Sequence, residues 1–247
     1  MSTQITKAEI DSGLIKLGVK TGMMLEVHCA LSSLGDVSGG AMTVINALQN
    51  VVGTDGAIVM PSFKLSPALL LSEKDVKLGL TLKIKLLKEE SEKSGMGIVS
   101  DTFRKMPDVI TGEGIFRVST WGKDAKKHAE AGFQHLIDNN GYALLIGVDI
   151  YSMSSMQYVE DALPTEIKNK FVPSREAREM YPASEWFIES WNPTVKPWYS
   201  IQQKASEKGY IRERIIGNAK CMLVQVKRTV ELYEEALRNN PYELYGL

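Results

Sequence analysis

The sequence predicts an α/β fold, with helical layers on both faces of one main sheet (α/β/α) and an appended C-terminal helical or irregular part. Apolar segments of strand length alternate with amphipathic helices, the pattern of a layered α/β domain. The clearest unit is segment 25–48, where an apolar strand, a Ser/Gly-rich loop and an amphipathic helix follow one another. A chain of 247 residues with 44% hydrophobic residues can bury one large core or two smaller ones. We interpret residues 1–247 as a single domain.

The remaining elements follow from caps, breakers and apolar periodicity. Thr6 can cap a first helix that reaches Gly18, and Glu9, three residues after Thr6, completes a capping box. A strand ends at Met60-Pro61, because proline cannot donate to an inner ladder. We predict strands at 24–31, 57–61, 116–121 and 142–149, and further helices at 39–52, 97–106, 123–138 and 225–239.

Two segments do not follow the alternation. Residues 64–95 carry seven lysines and no aromatic residue. We expect a helix with a basic face there rather than a nucleic-acid site, because Glu89, Glu90 and Glu92 balance the charge nearby. Residues 172–200 contain four prolines and three of the four tryptophans. We expect an irregular subdomain over the sheet, whose aromatic side chains line a pocket or pack in the core.

The composition limits the classes of partner. Lys plus Arg number 29 and Asp plus Glu number 30, so the net charge gives no sign of nucleic acid or membrane binding. No apolar run reaches the ~18 residues of a membrane helix, and the polar N-terminus does not resemble a signal peptide. Cys29 and Cys221 make no disulfide framework. No zinc-ligand spacing or Walker loop occurs. We therefore expect a cytoplasmic protein without a metal.

The loop between the first strand and the second helix has two interpretations. Residues 32–40 are rich in hydroxyls, contain three glycines and lead into the helix. Free N–H groups at a helix N-terminus suit a phosphate or pyrophosphate. A tight turn that needs glycine for its dihedral angles explains the same residues. Local chemistry leaves both open.

Several motifs occur together in one order along the chain. "VHCALSSLG" is followed by "GGAMTVINALQNVVGTDGAIVMPSF", and three later stretches follow at 96–109, 142–149 and 215–237. This series resembles the aminoglycoside 3-N-acetyltransferase family. The resemblance covers most of the chain except about 64–95 and 165–205, which we regard as variable acceptor-side segments. It implies transfer of an acetyl group from acetyl-CoA to an amine of an aminoglycoside-like or amino-sugar acceptor.

The resemblance also implies where coenzyme A lies. The Ser/Gly loop faces coenzyme A in the family, and its residue types match here. A guanidinium later in the chain is a second candidate, because it can bind a phosphate in a bidentate way. A surface salt bridge with Asp101 or Asp108 is the alternative for that arginine. The expected coenzyme contacts are Ser32, Ser33, Leu34, Gly35 and Arg104.

The expected catalytic base of the family is missing. Family members carry Thr/Ser-Ser-Leu-His-x-x-Glu shortly after Gly-Val-Asp, and the histidine is the expected base. The aligned stretch here is "SSMQYVE" at 154–160, so Gln157 replaces the histidine while Glu160 is retained. An amide has no basic nitrogen that could take the proton. A second family run, His-Pro-x-His-Ser, is replaced by residues 113–117. The usual mechanism is therefore altered.

Three other residues could serve as the base. Glu160 could act if burial raised its pKa, and Asp149 at a strand end could do the same. His28 keeps the family's position, although an inner hydrogen-bonded histidine is the favoured interpretation. His128 and His135 are expected to be exposed on a helix. The candidate catalytic residues are Glu160, Gln157, Asp149 and His28. The alternative is a non-catalytic relative that still binds coenzyme A or a partner.

Overall fold

The computed structural model describes residues 4–89, 92–194 and 196–247. Its strands are β1 (Met24–Cys29), β2 (Ala57–Pro61), β3 (Leu82–Lys85), β4 (Ile110–Thr111), β5 (Val118–Gly122), β6 (Tyr142–Ile146), β7 (Trp186–Glu189), β8 (Ile211–Ile216) and β9 (Ala219–Gln225). Its α-helices are α1 (Lys7–Leu17), α2 (Gly40–Val52), α3 (Glu73–Lys77), α4 (Gly97–Phe103), α5 (Ala125–Ala131), α6 (Phe133–Asp138), α7 (Gln157–Glu160), α8 (Thr165–Phe171), α9 (Arg175–Met180), α10 (Pro197–Glu207), α11 (Val226–Asn239) and α12 (Pro241–Leu244). Short 3₁₀ turns cover Leu31–Leu34, Ile150–Ser152 and Ser154–Met156.

The strands form a large mixed sheet and a small second sheet. The large sheet has the order β4-β5-β2-β1-β6-β9-β8. Strand β1 runs parallel to β2 and to β6, whereas the other neighbours are antiparallel. The small sheet is the antiparallel pair β3-β7. The predicted layered α/β fold is confirmed.

Alternation along β1 separates the two helical layers. Leu25 and Val27 pack into the core formed with α1, α2 and α4. Glu26 and His28 point to the opposite face, where α6, α10 and α11 pack. Successive side chains of a strand point to opposite faces of its sheet. A polar pair in an otherwise apolar strand therefore reaches a single side of the sheet.

The first predicted helix is confirmed with its caps. Thr6 accepts a hydrogen bond from the backbone N–H of Glu9, and the Glu9 side chain accepts one from the N–H of Thr6. Gly18 ends α1 with φ of 112°, a conformation that favours glycine. The helix predicted over 123–138 is two helices, because the chain turns at Gly132, where φ is 60° and ψ is −140°.

The structure corrects the interpretation of both irregular segments. Residues 64–95 do not form a basic helix: their only described helix is the five-residue α3, and β3 follows it. The 172–200 segment contributes α9, β7 and the start of α10, and β7 pairs with β3. The C-terminal part also contains a strand hairpin, β8-β9, that extends the main sheet before α11 and α12.

Within the described ranges, the helices are all too short or too polar to cross a membrane.

Candidate active site

A cavity of about 550 Å³ opens where the carboxyl ends of the three parallel strands meet the small sheet. His28 at the end of β1, Pro61 at the end of β2 and Val148 just after β6 form its floor. Leu82 of β3 and Phe187 of β7 form part of the opposite wall. The edge at which parallel strands end is the usual place for ligands in open α/β sheets.

A second groove of about 540 Å³ lies beside this cavity. It runs along the 3₁₀ turn that follows β1 and the start of α2, residues 31–40, and along the start of α4. Cys29, Ala30 and Gly97 line both spaces. The groove and the cavity therefore meet at these three residues.

The predicted coenzyme loop only partly faces the groove. Ser32 and Gly35 line it. Ser33 points inward, because its hydroxyl donates to the carbonyl of Ala30 at 2.6 Å and packs against Gly147, where a Cβ would lie 1.6 Å from the Ser33 Oγ. Leu34 is 1% exposed and belongs to the core. The side chains of Ser33 and Leu34 therefore hold the loop in place rather than line the groove.

Arg104 does not line either space. Its guanidinium donates to Asp101 Oδ1 at 3.3 Å, and both side chains are nearly buried. Asp101 also accepts hydrogen bonds from the backbone N–H and the hydroxyl of Ser94. The structure thus has the salt bridge with Asp101 that was the alternative for this residue, although the pair is less exposed than a surface bridge. It braces the segment before α4.

His28 lines the cavity and is held by a buried carboxylate. Its Nε2 lies 2.8 Å from Glu26 Oε1, and Glu26 is fully buried. The same oxygen accepts the backbone N–H of Ser155 at 3.1 Å. Phe133 stacks on the imidazole, with ring centroids 6.4 Å apart. The predicted inner, hydrogen-bonded histidine is confirmed, and its carboxylate partner comes from the same strand.

Glu160 also lines the cavity, but its carboxylate already has three donors. Its Oε1 accepts from Trp198 Nε1 at 3.0 Å and from the hydroxyls of Tyr233 and Tyr245 at 3.3 and 3.5 Å. Burial raises the pKa of Glu160, and these hydrogen bonds oppose that shift. A pKa raised by burial was required for Glu160 to act as a base, and the pKa of Glu160 is shifted in that direction.

Gln157 and Asp149 differ in position. Gln157 begins α7 and lines the cavity. Asp149 is exposed and is not part of the lining. One of its carboxylate oxygens accepts a hydrogen bond from the backbone N–H of Tyr151 at 2.9 Å, and the other accepts one from the Tyr199 hydroxyl at 2.6 Å. The structure does not bring Asp149 to the site, because its carboxylate is used to build the loop after β6.

Two acidic residues of the site were missed by sequence reasoning. Glu26 lies two positions before His28 in a strand, so the two side chains point to the same face of the sheet. This pair of polar residues in an apolar segment was a signal that could have identified Glu26 as the partner of His28. Glu189 of β7 lines the cavity, where burial, with a smaller contribution from the charge of Glu160, raises its pKa to about 7. No local signal pointed to Glu189, because its place depends on the pairing of β7 with β3.

Two further side chains limit the possible chemistry. Burial raises the pKa of Cys29 to about 12, so this thiol at the junction stays protonated and is a poor nucleophile. The expected exposure of His128 is wrong: it is fully buried against His135, with ring centroids 4.5 Å apart, and lies outside the cavity. Across the described part of the chain, no group of three or more His, Cys, Asp or Glu side chains could hold a metal ion.

This arrangement agrees with the comparison to known protein families. The family model described as aminoglycoside 3-N-acetyltransferase matches residues 27–238. The chain belongs to this family. It is an N-acetyltransferase, and the resemblance given by its sequence motifs is confirmed.

Similar proteins span nearly the whole chain. The aminoglycoside N(3')-acetyltransferase-like protein YokD, from the SPbeta prophage of Bacillus subtilis (strain 168), is 26% identical over 95% of this chain and 93% of its own length. The crystal structure of the AAC(3)-IVa apoenzyme superposes with a TM-score of 0.72 at 20% identity, over 99% of this chain and 92% of that chain. The binary structure of AAC-IIIb with CoASH has a TM-score of 0.68 at 14% identity, over 99% and 98% of the two chains.

Proposed function

We propose that this enzyme transfers the acetyl group of acetyl-CoA to an amine bound in the 550 Å³ cavity, with the coenzyme in the neighbouring groove. The observation that carries this proposal is the junction at Cys29, Ala30 and Gly97. A thioester that reached this junction from the groove would meet an amine held in the cavity. A related enzyme, AAC-IIIb, has been crystallised with CoASH, which supports acetyl-CoA as the donor.

The groove supplies backbone and hydroxyl groups rather than cations. The Ser32 hydroxyl and the chain between Gly35 and Gly40 line it, at the N-terminus of the 13-residue helix α2. The positive end of a helix dipole favours phosphate oxygens. Arg104, fixed by Asp101, is not needed in this arrangement.

His28 is the base in this proposal. With Nε2–H donating to Glu26, the ring's Nδ1 keeps the lone pair that can accept a proton. As the amine nitrogen attacks the thioester carbonyl, the N–C bond forms, the C–S bond breaks, and the proton passes from nitrogen to Nδ1. The leaving thiolate of coenzyme A then takes that proton. Glu26 fixes the tautomer and stabilises the imidazolium, as a carboxylate does for other catalytic histidines.

Glu160 and Gln157 have different parts in this proposal. Glu160, which also lines the cavity, contributes negative charge that favours an ammonium, and its three donors fix its position. Gln157 offers an amide that can orient the acceptor without moving a proton. We place the reaction in the cytoplasm, where free thiols such as Cys29 and Cys221 persist.

A non-catalytic, coenzyme-binding protein is the second candidate function. The observation that favours it is Gln157, since the family's histidine is absent from this position. The two candidates differ in one measurement. A binding protein would take up acetyl-CoA and release no thiol with any amine.

Calorimetric titration with acetyl-CoA, followed by a thiol-release assay across a panel of amines, tests the proposal. Ser32→Trp places an indole in the groove, so we expect affinity for acetyl-CoA to fall by at least about tenfold. Ser206→Trp, an exposed position on α10, is the matched control and should leave affinity unchanged. Equal affinity in the wild type and Ser32→Trp would remove the coenzyme from this groove.

A further inference from the structure

On the side of the small sheet, the wall of the acceptor cavity is built from aromatic and aliphatic side chains. Phe116 contacts Phe63 and Phe187 edge-to-face, with ring centroids 5.4 and 6.4 Å apart. Phe116 is 57% exposed although it lies between two other rings. A large apolar ring left partly open inside a cavity is a surface that an apolar ligand can cover.

Strand alternation makes this wall continuous. In the register of the small sheet, Leu82 lies opposite Glu189 and Ile84 lies opposite Phe187. All four side chains line the cavity. The intervening Lys83 points away and binds Asp75 at 2.5 Å. The small sheet therefore presents three apolar side chains and one carboxyl group to the acceptor.

Apart from Glu189, the polar side chains that line the cavity lie outside the small sheet: His28, Tyr151, Ser152, Ser154, Gln157, Glu160, Trp198 and Tyr245. The described lining of the cavity contains two acidic side chains, Glu160 and Glu189, and no lysine or arginine. Glu160 already accepts from three donors. The pKa of Glu189, raised to about 7 chiefly by burial, leaves that carboxyl group only partly ionised at neutral pH. The lining thus offers two carboxyl groups, and no cationic lysine or arginine, to an amine.

These features disfavour a polyhydroxylated polycation. A buried hydroxyl or ammonium group without a partner loses its hydration and gains no hydrogen bond in return. The hydroxyl and amino groups of an amino sugar that faced the Phe63–Phe116–Phe187 wall would have no partner on that wall. A single amine on an apolar body would leave no such group unsatisfied.

We infer that the acceptor is a monoamine carried on an aromatic or similarly flat apolar body, an arylalkylamine in chemical class. The body lies against the wall formed by Phe116, Phe187 and Ile84, and the amine lies on the side lined by His28 and Glu160. This inference rests on the proposed acetyl transfer and specifies its substrate.

Matched amines test the inference in the thiol-release assay with acetyl-CoA. The probes are 2-phenylethylamine, ethanolamine, glucosamine and gentamicin. We expect kcat/KM for 2-phenylethylamine to exceed that for each of the others by at least about tenfold. Preference for gentamicin or glucosamine, or equal rates with 2-phenylethylamine and ethanolamine, would overturn the inference and leave the acetyl transfer intact.

Variants of β7 localise the effect. Phe187→Ala should raise KM for 2-phenylethylamine about tenfold and leave KM for ethanolamine within twofold, whereas Phe187→Leu should recover most of the loss. Ile188→Ala, on the same strand but outside the lining, is the matched control and should change neither. A KM that rises equally for both amines would mean that Phe187 only supports the fold.

Calorimetry separates failure of the inference from failure of the proposed function. If no amine releases thiol, the acetyl transfer is wrong, and direct binding still decides the inference. Tighter binding of 2-phenylethylamine than of ethanolamine, lost in Phe187→Ala, would uphold an arylalkylamine site. Equal or absent binding of the two would refute it.

Discussion

The groove proposed for coenzyme A and the cavity proposed for the acceptor share three residues but are built from different kinds of structure. The groove is formed by one continuous segment, residues 29–40, and the start of α4. The cavity wall is formed by β3 and β7, which are about a hundred residues apart in the chain and pair only after folding. Local sequence determines the first, and long-range pairing determines the second. The coenzyme side is therefore recognisable from a motif, while the acceptor side is not.

The small sheet is held by its own ionic cluster. Asp75 is fully buried and accepts from Lys83, from the Tyr181 hydroxyl and from the backbone and hydroxyl of Ser72. Burial acts to raise the pKa of Asp75, but the hydrogen bonds from Lys83, Tyr181 and Ser72 outweigh it and hold the pKa well below its usual range. This cluster ties the 64–95 segment to the 165–205 segment without touching the groove.

The largest expected effect is at His28, which lines the cavity and precedes Cys29, one of the residues shared with the groove. His28→Gln keeps a donor for Glu26 but removes the basic nitrogen, so we expect kcat to fall by on the order of 10²–10⁴. Steady-state thiol release measures this fall, and His135→Gln, outside the cavity, is the control. Full activity in His28→Gln would show that another group takes the proton.

A change of pH tests the stability of the folded protein rather than of one region. Burial, with a smaller contribution from the charge of His135, lowers the pKa of His128 to about 4. Because the folded state favours neutral His128, its contribution is complete above pH 6.5 and is lost as pH falls toward 4. At pH 5 this amounts to about 2 kcal/mol of unfolding free energy.

Urea unfolding at pH 7 and pH 5 measures this contribution. In His128→Phe the apolar ring cannot titrate, so the loss between the two pH values should be smaller by about 2 kcal/mol. The other carboxylates titrate alike in both proteins and cancel in the difference. An equal loss in both proteins would mean that His128 accepts a proton without cost in the folded state.

A variant of the ionic cluster should impair the acceptor cavity and leave the groove unaffected. Asp75→Asn removes the charge that pairs with Lys83, so we expect the β3-β7 wall to loosen. The acceptor kcat/KM should fall about tenfold, while affinity for acetyl-CoA should stay within twofold. Asp55→Asn, at an exposed turn, is the control. A parallel loss of coenzyme affinity would show that the two regions do not act independently.

The pKa of Asp75 also determines how its contribution to the stability of the folded protein depends on pH. Since this pKa is lowered on folding, the contribution should be complete at neutral pH and should fall only in acid, below the unfolded pKa of about 3.9.

The smallest expected effect is at position 157, where Gln157 replaces the family's histidine. Gln157→His places an imidazole in the cavity beside Glu160, and we expect a gain of only a few-fold in kcat, because His28 already supplies the base in the proposed mechanism. The gain should show an inflection near pH 6.5, the ordinary histidine value. It should depend on Glu160, so adding Glu160→Gln should remove it. A pH–rate profile that matches the wild type would show that position 157 no longer lies where a base is useful.

Local signals in the sequence predicted several elements, but other elements were missed, among them β9, although its apolar run at 221–224 is itself a strand signal. Thr6, Glu9 and Gly18 defined α1, and Pro61 defined the end of β2. Strand β8 was missed because its middle residues, 212–215, are all exposed and show no alternation, as is usual for an edge strand. Burial of His128 was missed because it depends on packing against His135, seven residues later.

The same distinction holds for the site. The Ser/Gly loop was recognised as a candidate site from its composition, but composition does not show which side chains point outward. Ser33 points inward because Gly147 leaves room for it. Glu189 was missed because its place opposite Leu82 is a matter of strand register. Register between distant strands has no signature in a single segment of sequence.

The pairing of β3 with β7 also has a consequence for synthesis of the chain. Leu82 is made 107 residues before its partner Glu189. At a synthesis rate of about 5–20 residues per second, β3 remains unpaired for roughly 5–20 s before β7 is made. During that interval an edge bearing Leu82 and Ile84 is unpaired, and such edges are sites of aggregation. Lys83 and Lys85 alternate with these apolar side chains, so their charges protect the nascent edge until β7 arrives.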